Sequence, residues 1–372
     1  MRIGLLVLSI GNFGKKGFYN LQEVGLAREL DLLFDEVLVY RLVGQNEKET
    51  TESIAGCKNA VMHLLPSRQT GSNGLPDLNK LDASVDTLVC FSDTQIFFPS
   101  VYKWCKKNDI MLIPYIGVSK SHSDNPLKQI LIDMLFVRNL SIYKKVTCLA
   151  KTPDVRNHLL KNGVQHVLVA PVGLDMGRLN PDYESASCEE LKKKYGFDVN
   201  QKIVLFIGRM TKEKQPDRML EIFETVHQND SSFRLLMVGS GELDGYVEEL
   251  INKKALGHTV KKMERIPNKE IWELYRIADC FVNLNQQEIY GMVLLEAMYY
   301  GCKVIAWHAP GPDYIITDGQ TGYLTDSNEK TCELILDSCS LAAQSKSAIL
   351  SDFTWKKTAN IIHQLIAQKQ AH

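Results

Sequence analysis

Two glutamates, eight positions apart, are the residues of this sequence most suited to chemistry. Glu288 follows an apolar run, and Glu296 lies within the helical run GMVLLEAMYY, which has no polar face. A helix that is apolar all round is buried, and a buried carboxylate is costly unless it is paired or hydrogen-bonded. Glu296 is therefore predicted to accept hydrogen bonds from ligand hydroxyls, or else to cap backbone or pair with an arginine. Glu288 would stand beside the N–H groups of Tyr290, Gly291 and Met292, where an anionic group would bind.

A basic loop is the second feature suited to chemistry. In FIGRMTKEKQPDRML an apolar run ends at Gly208, and Arg209, Lys212 and Lys214 follow before Pro216, a residue that suits the first turn of a helix. A helix N-terminus offers unpaired N–H groups and the positive end of a dipole, so added Arg and Lys side chains make a phosphate site. A solvated basic loop explains this motif alone equally well.

The third feature is MVGSGE, in which Gly239 and Gly241 would let the backbone approach a ligand closely. A simple strand-to-helix turn is the better explanation of these glycines taken by themselves. All three features follow predicted strands of the C-terminal half, and ligands of open α/β sheets bind at the carboxyl ends of the strands. The three features therefore point to one site.

The elements that would position this site follow from the hydrophobic pattern. Short apolar runs that end at Gly, Pro, Asn or Asp alternate with longer runs of helical period, which predicts doubly wound parallel sheets with helices on both faces. The strands predicted in the first half are Ile3 to Leu8, Glu36 to Tyr40, Ala60 to Leu64, Thr87 to Phe91, Met111 to Tyr115, Val146 to Ala150 and Val167 to Ala170. Those predicted in the second half are Ile203 to Ile207, Arg234 to Val238, Cys280 to Leu284 and Lys303 to Trp307. The helices predicted in the first half include Asn20 to Leu33, Gln95 to Lys107 and Asp154 to Lys161.

The length of 372 residues predicts two domains, each large enough to bury its own core. Residues 176–200 are polar and nearly free of aliphatic runs, so they are predicted to form a linker with one short helix. We expect an N-terminal domain over residues 1–175 and a C-terminal domain over residues 201–350. An amphipathic helix within 351–372 would either cross back to the N-terminal domain or pack on the C-terminal one.

Composition excludes several classes of function. With 43 Lys and Arg against 44 Asp and Glu, the net charge of −1 gives no global electrostatic reason to expect nucleic acid binding. The nine cysteines are scattered without a C-x-x-C pair, which disfavours a disulfide framework or structural zinc and favours a reduced, cytoplasmic protein. The N-terminal apolar run is too short to span a bilayer and lacks a cleavage-site pattern, so it is predicted to be a buried strand.

One segment stands out as unusually apolar. Residues 125–146 end in Lys144 and Lys145, and this segment would form a helix. Such a helix is more often part of the core. The alternative is a helix that rests on a membrane surface, at the inner face of the cell membrane, and meets a lipid-linked acceptor.

These residues together resemble a known family. The sequence is similar to the retaining glycosyltransferases of family four, which have the GT-B fold of two Rossmann-like domains facing a central cleft. The most specific match is the Glu-x7-Glu motif at Glu288 and Glu296, in the setting E-x-Y-G-x-x-x-x-E-A-M-x-x-G. The G-R-x-x-x-x-K loop at Arg209 and Lys214, the MVGSGE segment and the GPDYIITDGQTGYL segment match as well. The resemblance as a whole covers almost the whole chain.

The resemblance implies a donor site for a nucleoside-diphosphate sugar, most simply a UDP-sugar, in the C-terminal domain. Arg209 and Lys214 would hold the diphosphate, Glu288 would contact the donor sugar, and Glu296 would accept from the ribose hydroxyls. The other donor-binding residues that it implies are Gly17, Gly208, Gly239, Arg265, Ile266, Tyr290, Gly291 and Met292.

The resemblance also implies what the reaction uses. Front-face substitution, in which the leaving phosphate helps to deprotonate the acceptor, needs neither an enzymatic nucleophile nor a metal, and the nucleotide sugar is a co-substrate with no further cofactor. The acceptor would be a glycan, a lipid-linked molecule or a small molecule, and Lys15 and His122 are the candidates on the acceptor side. The sequence departs from the family at Gln215, where Gly is usual, and at Tyr314, where Glu is usual.

Three other functions fit parts of this pattern. A glycogen-synthase-like enzyme or a sugar phosphorylase would share the fold, although no obvious pyridoxal-binding lysine motif supports the phosphorylase. A non-catalytic nucleotide-sugar sensor or a partner subunit would share the binding site. A Rossmann dehydrogenase is disfavoured, because the first loop does not fit G-x-G-x-x-G and because Tyr40 and Arg41 stand where an acidic ribose ligand is expected.

Overall fold

The structure is a computed structural model of the chain, and it describes residues 1–10, 21–70, 73–93, 95–118 and 126–370, without the side chains of 126–128 and 370. These residues fold into two compact units. The N-terminal unit consists of the described residues up to Gly177 together with those from Thr354 onward, and the C-terminal unit runs from Arg178 to Phe353. Most of the segment predicted as a linker thus packs within the C-terminal unit.

The N-terminal unit is built on one large sheet. The strands of the whole unit are β1 (Arg2–Val7), β2 (Glu36–Gly44), β3 (Thr50–Ser53), β4 (Ala60–Ser67), β5 (Gln69–Thr70), β6 (Asn73–Gly74), β7 (Thr87–Phe91), β8 (Met111–Ile116), β9 (Cys148–Ala150) and β10 (Val167–Val169). Its first helices are α1 (Gln22–Leu30), α2 (Phe98–Lys107), α3 (Pro126–Tyr143) and α4 (Pro153–Lys161). The sheet order is β10-β9-β8-β7-β1-β2-β4-β3, and β5 pairs with β6 alone.

Neighbouring strands of this sheet run parallel except β3, which lies antiparallel to β4 at the edge. The sequence did not predict β3, because its residues TTES are all exposed and carry no apolar signal. Strand β2 continues past its predicted end at Tyr40 to Gly44. The charged Arg41 does not end the strand, because its guanidinium pairs with the buried Glu23 of α1.

The C-terminal unit contains a second sheet with helices between its strands. Its strands are β11 (Lys202–Ile207), β12 (Phe233–Val238), β13 (Val260–Met263), β14 (Cys280–Asn283), β15 (Lys303–Trp307) and β16 (Tyr323–Thr325). Its helices are α5 (Cys188–Lys194), α6 (Pro216–Asn229), α7 (Asp244–Lys253), α8 (Ile271–Ile277), α9 (Met292–Tyr299), α10 (Pro310–Ile315), α11 (Asn328–Leu336) and α12 (Ala342–Asp352).

All six strands are parallel, in the order β13-β12-β11-β14-β15-β16. This is the strand order of the doubly wound Rossmann fold. Strands β12 and β13 are added on one side of β11, and the chain then crosses over to add β14, β15 and β16 on the other side. The carboxyl ends of β11 and β14 are therefore neighbours at the point where the strand order reverses. Ligands of such sheets bind at this point.

The final helix, α13 (Trp355–Gln370), belongs to the N-terminal unit. The Trp355 side chain is 2% exposed, and the hydroxyl of Thr358 donates to the carbonyl oxygen of Pro171 at 2.5 Å. The two segments meet so closely that a Cβ added to Gly173 would lie 2.0 Å from the backbone nitrogen of Trp355. Helix α13 is thus part of the core of this unit.

Helix α3 departs from the core helix that the sequence favours. Phe136 and Tyr143 are buried, as expected for a core helix, but the opposite face is not covered. The α3 stripe, as we call the exposed large apolar side chains of this helix, consists of Ile130, Leu131, Met134 and Val137, each between 57% and 65% exposed. The core interpretation is wrong for this face. None of the described helices is long and apolar enough to cross a bilayer.

Candidate active site

Two residues from separate motifs meet at the carboxyl ends of β11 and β14. Lys214 ends a short 3₁₀ turn that follows β11, and Glu288 lies in the loop that follows β14. The Nζ atom of Lys214 lies 2.6 Å from Oε2 of Glu288, with the two side chains 19% and 16% exposed. The structure therefore brings together the predicted phosphate-binding lysine and the predicted sugar-binding carboxylate.

Two asparagines complete the surroundings of Glu288, and sequence reasoning missed both. The Nδ2 atoms of Asn283 and Asn285 lie 3.5 and 3.3 Å from Oε2 of Glu288. Both asparagines are buried, and Oδ1 of Asn283 accepts from the backbone N–H of Asn285 at 3.0 Å. The available signal was the N-L-N sequence at the carboxyl end of a strand. These contacts place the Glu288 carboxylate among one ammonium and two amide donors.

The basic loop is tied to the Glu288 loop by Gln215. This residue has a φ of +54°, a left-handed conformation that glycine adopts without strain, which explains why the family resemblance places Gly here. The Nε2 atom of Gln215 donates to the carbonyl oxygen of Leu284 at 2.5 Å. As predicted, Pro216 then begins α6. The glutamine thus adopts a backbone conformation that favours glycine, while its side chain links the two loops by a hydrogen bond.

Arg209 and Thr211 lie in the same basic loop. Arg209 pairs with Glu213 at 2.7 Å, and its side chain is 59% exposed, so this ion pair contributes little to stability. The Thr211 hydroxyl is buried and has no hydrogen-bond partner among the residues that the structure describes. Buried polar groups normally have a partner, so this hydroxyl suits a bound ligand or water.

The glycines of MVGSGE have a structural reason to be glycines. A Cβ on Gly239 would lie 1.8 Å from the carbonyl oxygen of Gly208, and a Cβ on Gly241 would lie 2.4 Å from that of Met210. The loops after β11 and β12 therefore pass each other in backbone contact. This favours the strand-to-helix turn as the explanation, and a contact of Gly239 with the donor stays a prediction.

Glu296 has a partner that the sequence did not name. Its side chain is buried within α9, and the hydroxyl of Tyr275, from α8, donates to its Oε2 at 3.0 Å. Burial raises the pKa of Glu296 to about 7, and the hydrogen bond from Tyr275 lowers it in part. The ring of Tyr275 stacks on Tyr300, with centroids 5.8 Å apart. This carboxyl group therefore titrates near neutral pH.

Replacing Glu296 by glutamine is expected to change how stability depends on pH. The folded state binds the Glu296 proton more tightly than the unfolded chain, so this contribution is present in full below about pH 4.5 and is lost as pH rises to about 7. From pH 4.5 to pH 8 the stability of the variant relative to wild type should therefore rise by roughly 3 kcal/mol. Urea unfolding of both proteins across this range measures the difference, and parallel pH profiles would contradict the assignment.

The remaining predicted residues follow other strands or lie outside the described residues. Exposed Arg265 and half-buried Ile266 follow β13. Gly291, with a φ of +94°, directly precedes α9, between Tyr290 and Met292. Their contacts with a donor stay predictions. The following candidates lie outside the described residues: Lys15, Gly17 and His122.

The described residues contain no group of three or more His, Cys, Asp or Glu side chains that could hold a metal ion. The expectation of a metal-independent site stays a prediction. The positive charge identified at this site comes from Lys214 and from the exposed Arg209.

The comparisons with known proteins include a family model that matches the part of the chain containing this site. Residues 187–340 match the family model described as glycosyl transferases group 1. The D-inositol 3-phosphate glycosyltransferase of Segniliparus rotundus is 27% identical over 208 residues, which cover 53% of this chain and 45% of that protein. The amylovoran biosynthesis glycosyltransferase AmsD of Erwinia amylovora is 30% identical over 198 residues, covering 52% and 53%. The chain thus spans about half the length of the curated relatives it matches.

A solved structure is similar over the whole chain. The structure of Anabaena Alr3699/HepE in complex with UDP matches with a TM-score of 0.72 and 15% identity, covering 100% of both chains. Likeness at this identity shows the fold, and it confirms the prediction of the GT-B fold with two Rossmann-like α/β units. Lys214, Glu288 and Glu296 all lie within residues 187–340, the stretch that is similar to the glycosyl transferases group 1.

Proposed function

We propose that this chain is a retaining glycosyltransferase that moves a sugar from a nucleoside-diphosphate donor, a UDP-sugar, to an acceptor hydroxyl. The observation that carries this proposal is the contact of Lys214 with Glu288 where the strand order of the C-terminal sheet reverses. A cation for a diphosphate and a carboxylate for sugar hydroxyls are the two groups that such a donor requires. The UDP named for the Anabaena structure supports the choice of nucleotide.

The leaving group explains the role of the basic side chains. As the bond between the anomeric carbon and the β-phosphate oxygen breaks, negative charge grows on the diphosphate. Lys214, Arg209 and the N-terminus of α6 would stabilise that charge, an electrostatic effect that is usually the largest single contribution to catalysis. In the structure the Glu288 carboxylate pairs with the Lys214 ammonium. A bound diphosphate would pair with Lys214 in place of Glu288. The Glu288 carboxylate would then accept hydrogen bonds from the hydroxyls of the donor sugar.

The geometry of transfer follows from the same assignment. The acceptor oxygen would form its bond to the anomeric carbon on the face from which the diphosphate departs, and a phosphate oxygen would take the acceptor proton. Neither a protein nucleophile nor a divalent cation enters this scheme. Glu296 would accept from the ribose hydroxyls in its carboxylate form, and we assign acceptor binding to the N-terminal unit. The acceptor class is a glycan, a lipid-linked molecule or a small molecule.

A donor screen tests the proposal directly. Purified protein is mixed with UDP-, GDP-, ADP- or dTDP-sugars in the presence of EDTA, and thermal unfolding and nucleoside diphosphate release are both measured. We expect one UDP-sugar to raise the unfolding temperature, since a ligand of the folded state stabilises it, and to release UDP. A strict metal requirement would contradict the mechanism. Donor binding without release under any acceptor condition would favour a sensor or a partner subunit.

A further inference from the structure

The α3 stripe is a cluster of exposed apolar side chains on one helix. The other large apolar side chains exposed among the described residues are scattered over several elements of both units. In the stripe, Ile130, Met134 and Val137 recur at the i, i+4 and i+7 spacing that places side chains on one face of a helix, and Leu131 lies beside them. A contiguous apolar surface of this kind marks an interaction site.

The opposite face of α3 is already bound to its own unit. The Nδ2 atom of Asn139, which is fully buried, donates to the carbonyl oxygen of Gln95 at 3.1 Å. Phe136 lies within the core of the N-terminal unit. Helix α3 therefore has a fixed inner face, and the stripe is its outer one.

The helix that carries the stripe and its neighbour α2 have more basic than acidic side chains on their exposed surface. Helix α2 packs against α3, and the exposed charged side chains of the two helices and the residues just after them are mostly cationic. The basic ones are Lys103, Lys106, Lys107, Arg138, Lys144 and Lys145, and the acidic ones are Asp109 and Asp133. In a chain with a net charge of −1, this is a local excess of positive charge. Half-buried Tyr102 and Trp104 of α2 add aromatic side chains of the kind enriched where proteins meet lipid headgroups.

We propose that the α3 stripe and the basic side chains of α2 and α3 dock on the surface of a bilayer that contains anionic lipids. The apolar side chains would enter the boundary between headgroups and acyl chains, while lysine and arginine would contact the negative headgroups. A second copy of the chain fits this surface less well. A two-fold interface places the same patch on both subunits, so the basic side chains would face one another.

Vesicle co-sedimentation of the full chain tests this proposal without donor or acceptor, and its outcome is independent of the proposed function. The vesicles contain phosphatidylcholine alone or mixed with phosphatidylglycerol. The wild type is expected to sediment with the mixed vesicles, less so at high salt, and to remain in solution with phosphatidylcholine alone. The double variant Met134→Gln/Val137→Gln should bind the mixed vesicles roughly tenfold more weakly or worse.

A matched control is available in the same unit. Leu32 is 76% exposed and lies outside the stripe, so Leu32→Gln should bind as the wild type does. Circular dichroism and the unfolding temperature check that each variant is folded. A wild type that does not bind anionic vesicles, or a folded stripe variant that binds them fully, would overturn the proposal. So would a wild-type dimer that the stripe substitutions convert to a monomer, because a second copy would then be the occupant.

Discussion

Replacing Lys214 by alanine is expected to lower kcat for release of the nucleoside diphosphate by about 10²–10³-fold. The Nζ atom of this lysine lies 2.6 Å from Glu288, where the proposed mechanism needs a cation for the departing diphosphate. Glu288→Gln keeps the size of the side chain but removes its charge, and it should lose most turnover as well. Steady-state release of the nucleoside diphosphate measures both effects.

An ion pair outside the site provides the control. Lys254 pairs with Glu224 at 2.5 Å in the same unit, with side chains 24% and 32% exposed. Lys254→Ala should therefore keep its turnover, which would separate the loss of a catalytic charge from the loss of an ion pair. Unfolding temperatures confirm that the variants are folded. If Lys214→Ala and Glu288→Gln both kept full activity, the assignment of the site would be wrong.

Gly239→Ala is expected to destabilise the protein by on the order of 4 kcal/mol. The added Cβ would lie 1.8 Å from the carbonyl oxygen of Gly208, so the backbone of one loop must move. The φ of +136° at this position adds strain for any residue with a side chain. Because the displaced loop leads to Arg209 and Lys214, donor binding should weaken in the fraction that folds. Urea unfolding and nucleotide titration measure the two effects.

A second glycine of the same unit should respond in the opposite direction. Gly245 lies in α7 and is exposed, and apart from its chain neighbours and the backbone of its own helix no atom lies within 4 Å of the position that its Cβ would take. Gly245→Ala should stabilise the protein by up to about 1 kcal/mol, because alanine favours the helix over glycine. Equal stability of the two alanine variants would refute the close-approach explanation.

The sequence pointed to two residues that the structure brings into contact, but it did not predict the contacts themselves. Lys214 and Glu288 were each predicted from a local motif, and their convergence follows because both motifs begin where parallel strands end. The contact between Tyr275 and Glu296 depends on how α8 packs against α9, so periodicity could indicate the burial of the carboxylate but not its partner. Asn283 was not predicted, because an uncharged amide at the end of a strand does not by itself indicate a binding site.

For the fold as well, the sequence predicted the elements that have a clear apolar pattern and missed those whose form depends on contacts with other elements. Strands β7 and β15 have their predicted bounds, because each contains four consecutive apolar residues. Strand β13 was missed because two of its four residues, Lys261 and Lys262, are charged. Lys262 remains in the strand because it pairs with Asp244 and Glu248 of α7. The outer face of α3 was misjudged because hydrophobicity alone does not distinguish a buried face from an exposed one.

The position of α13 has a consequence for how the chain folds as it leaves the ribosome. Among the described residues, the C-terminal unit is the continuous stretch from Arg178 to Phe353, whereas the N-terminal unit has residues both before and after that stretch. Since Trp355 and Ile362 are almost fully buried, the N-terminal unit lacks part of its core until α13 has been synthesised. Nascent domains generally fold in the order of synthesis. In this protein the unit that is translated first is therefore expected to be the last to reach its complete core.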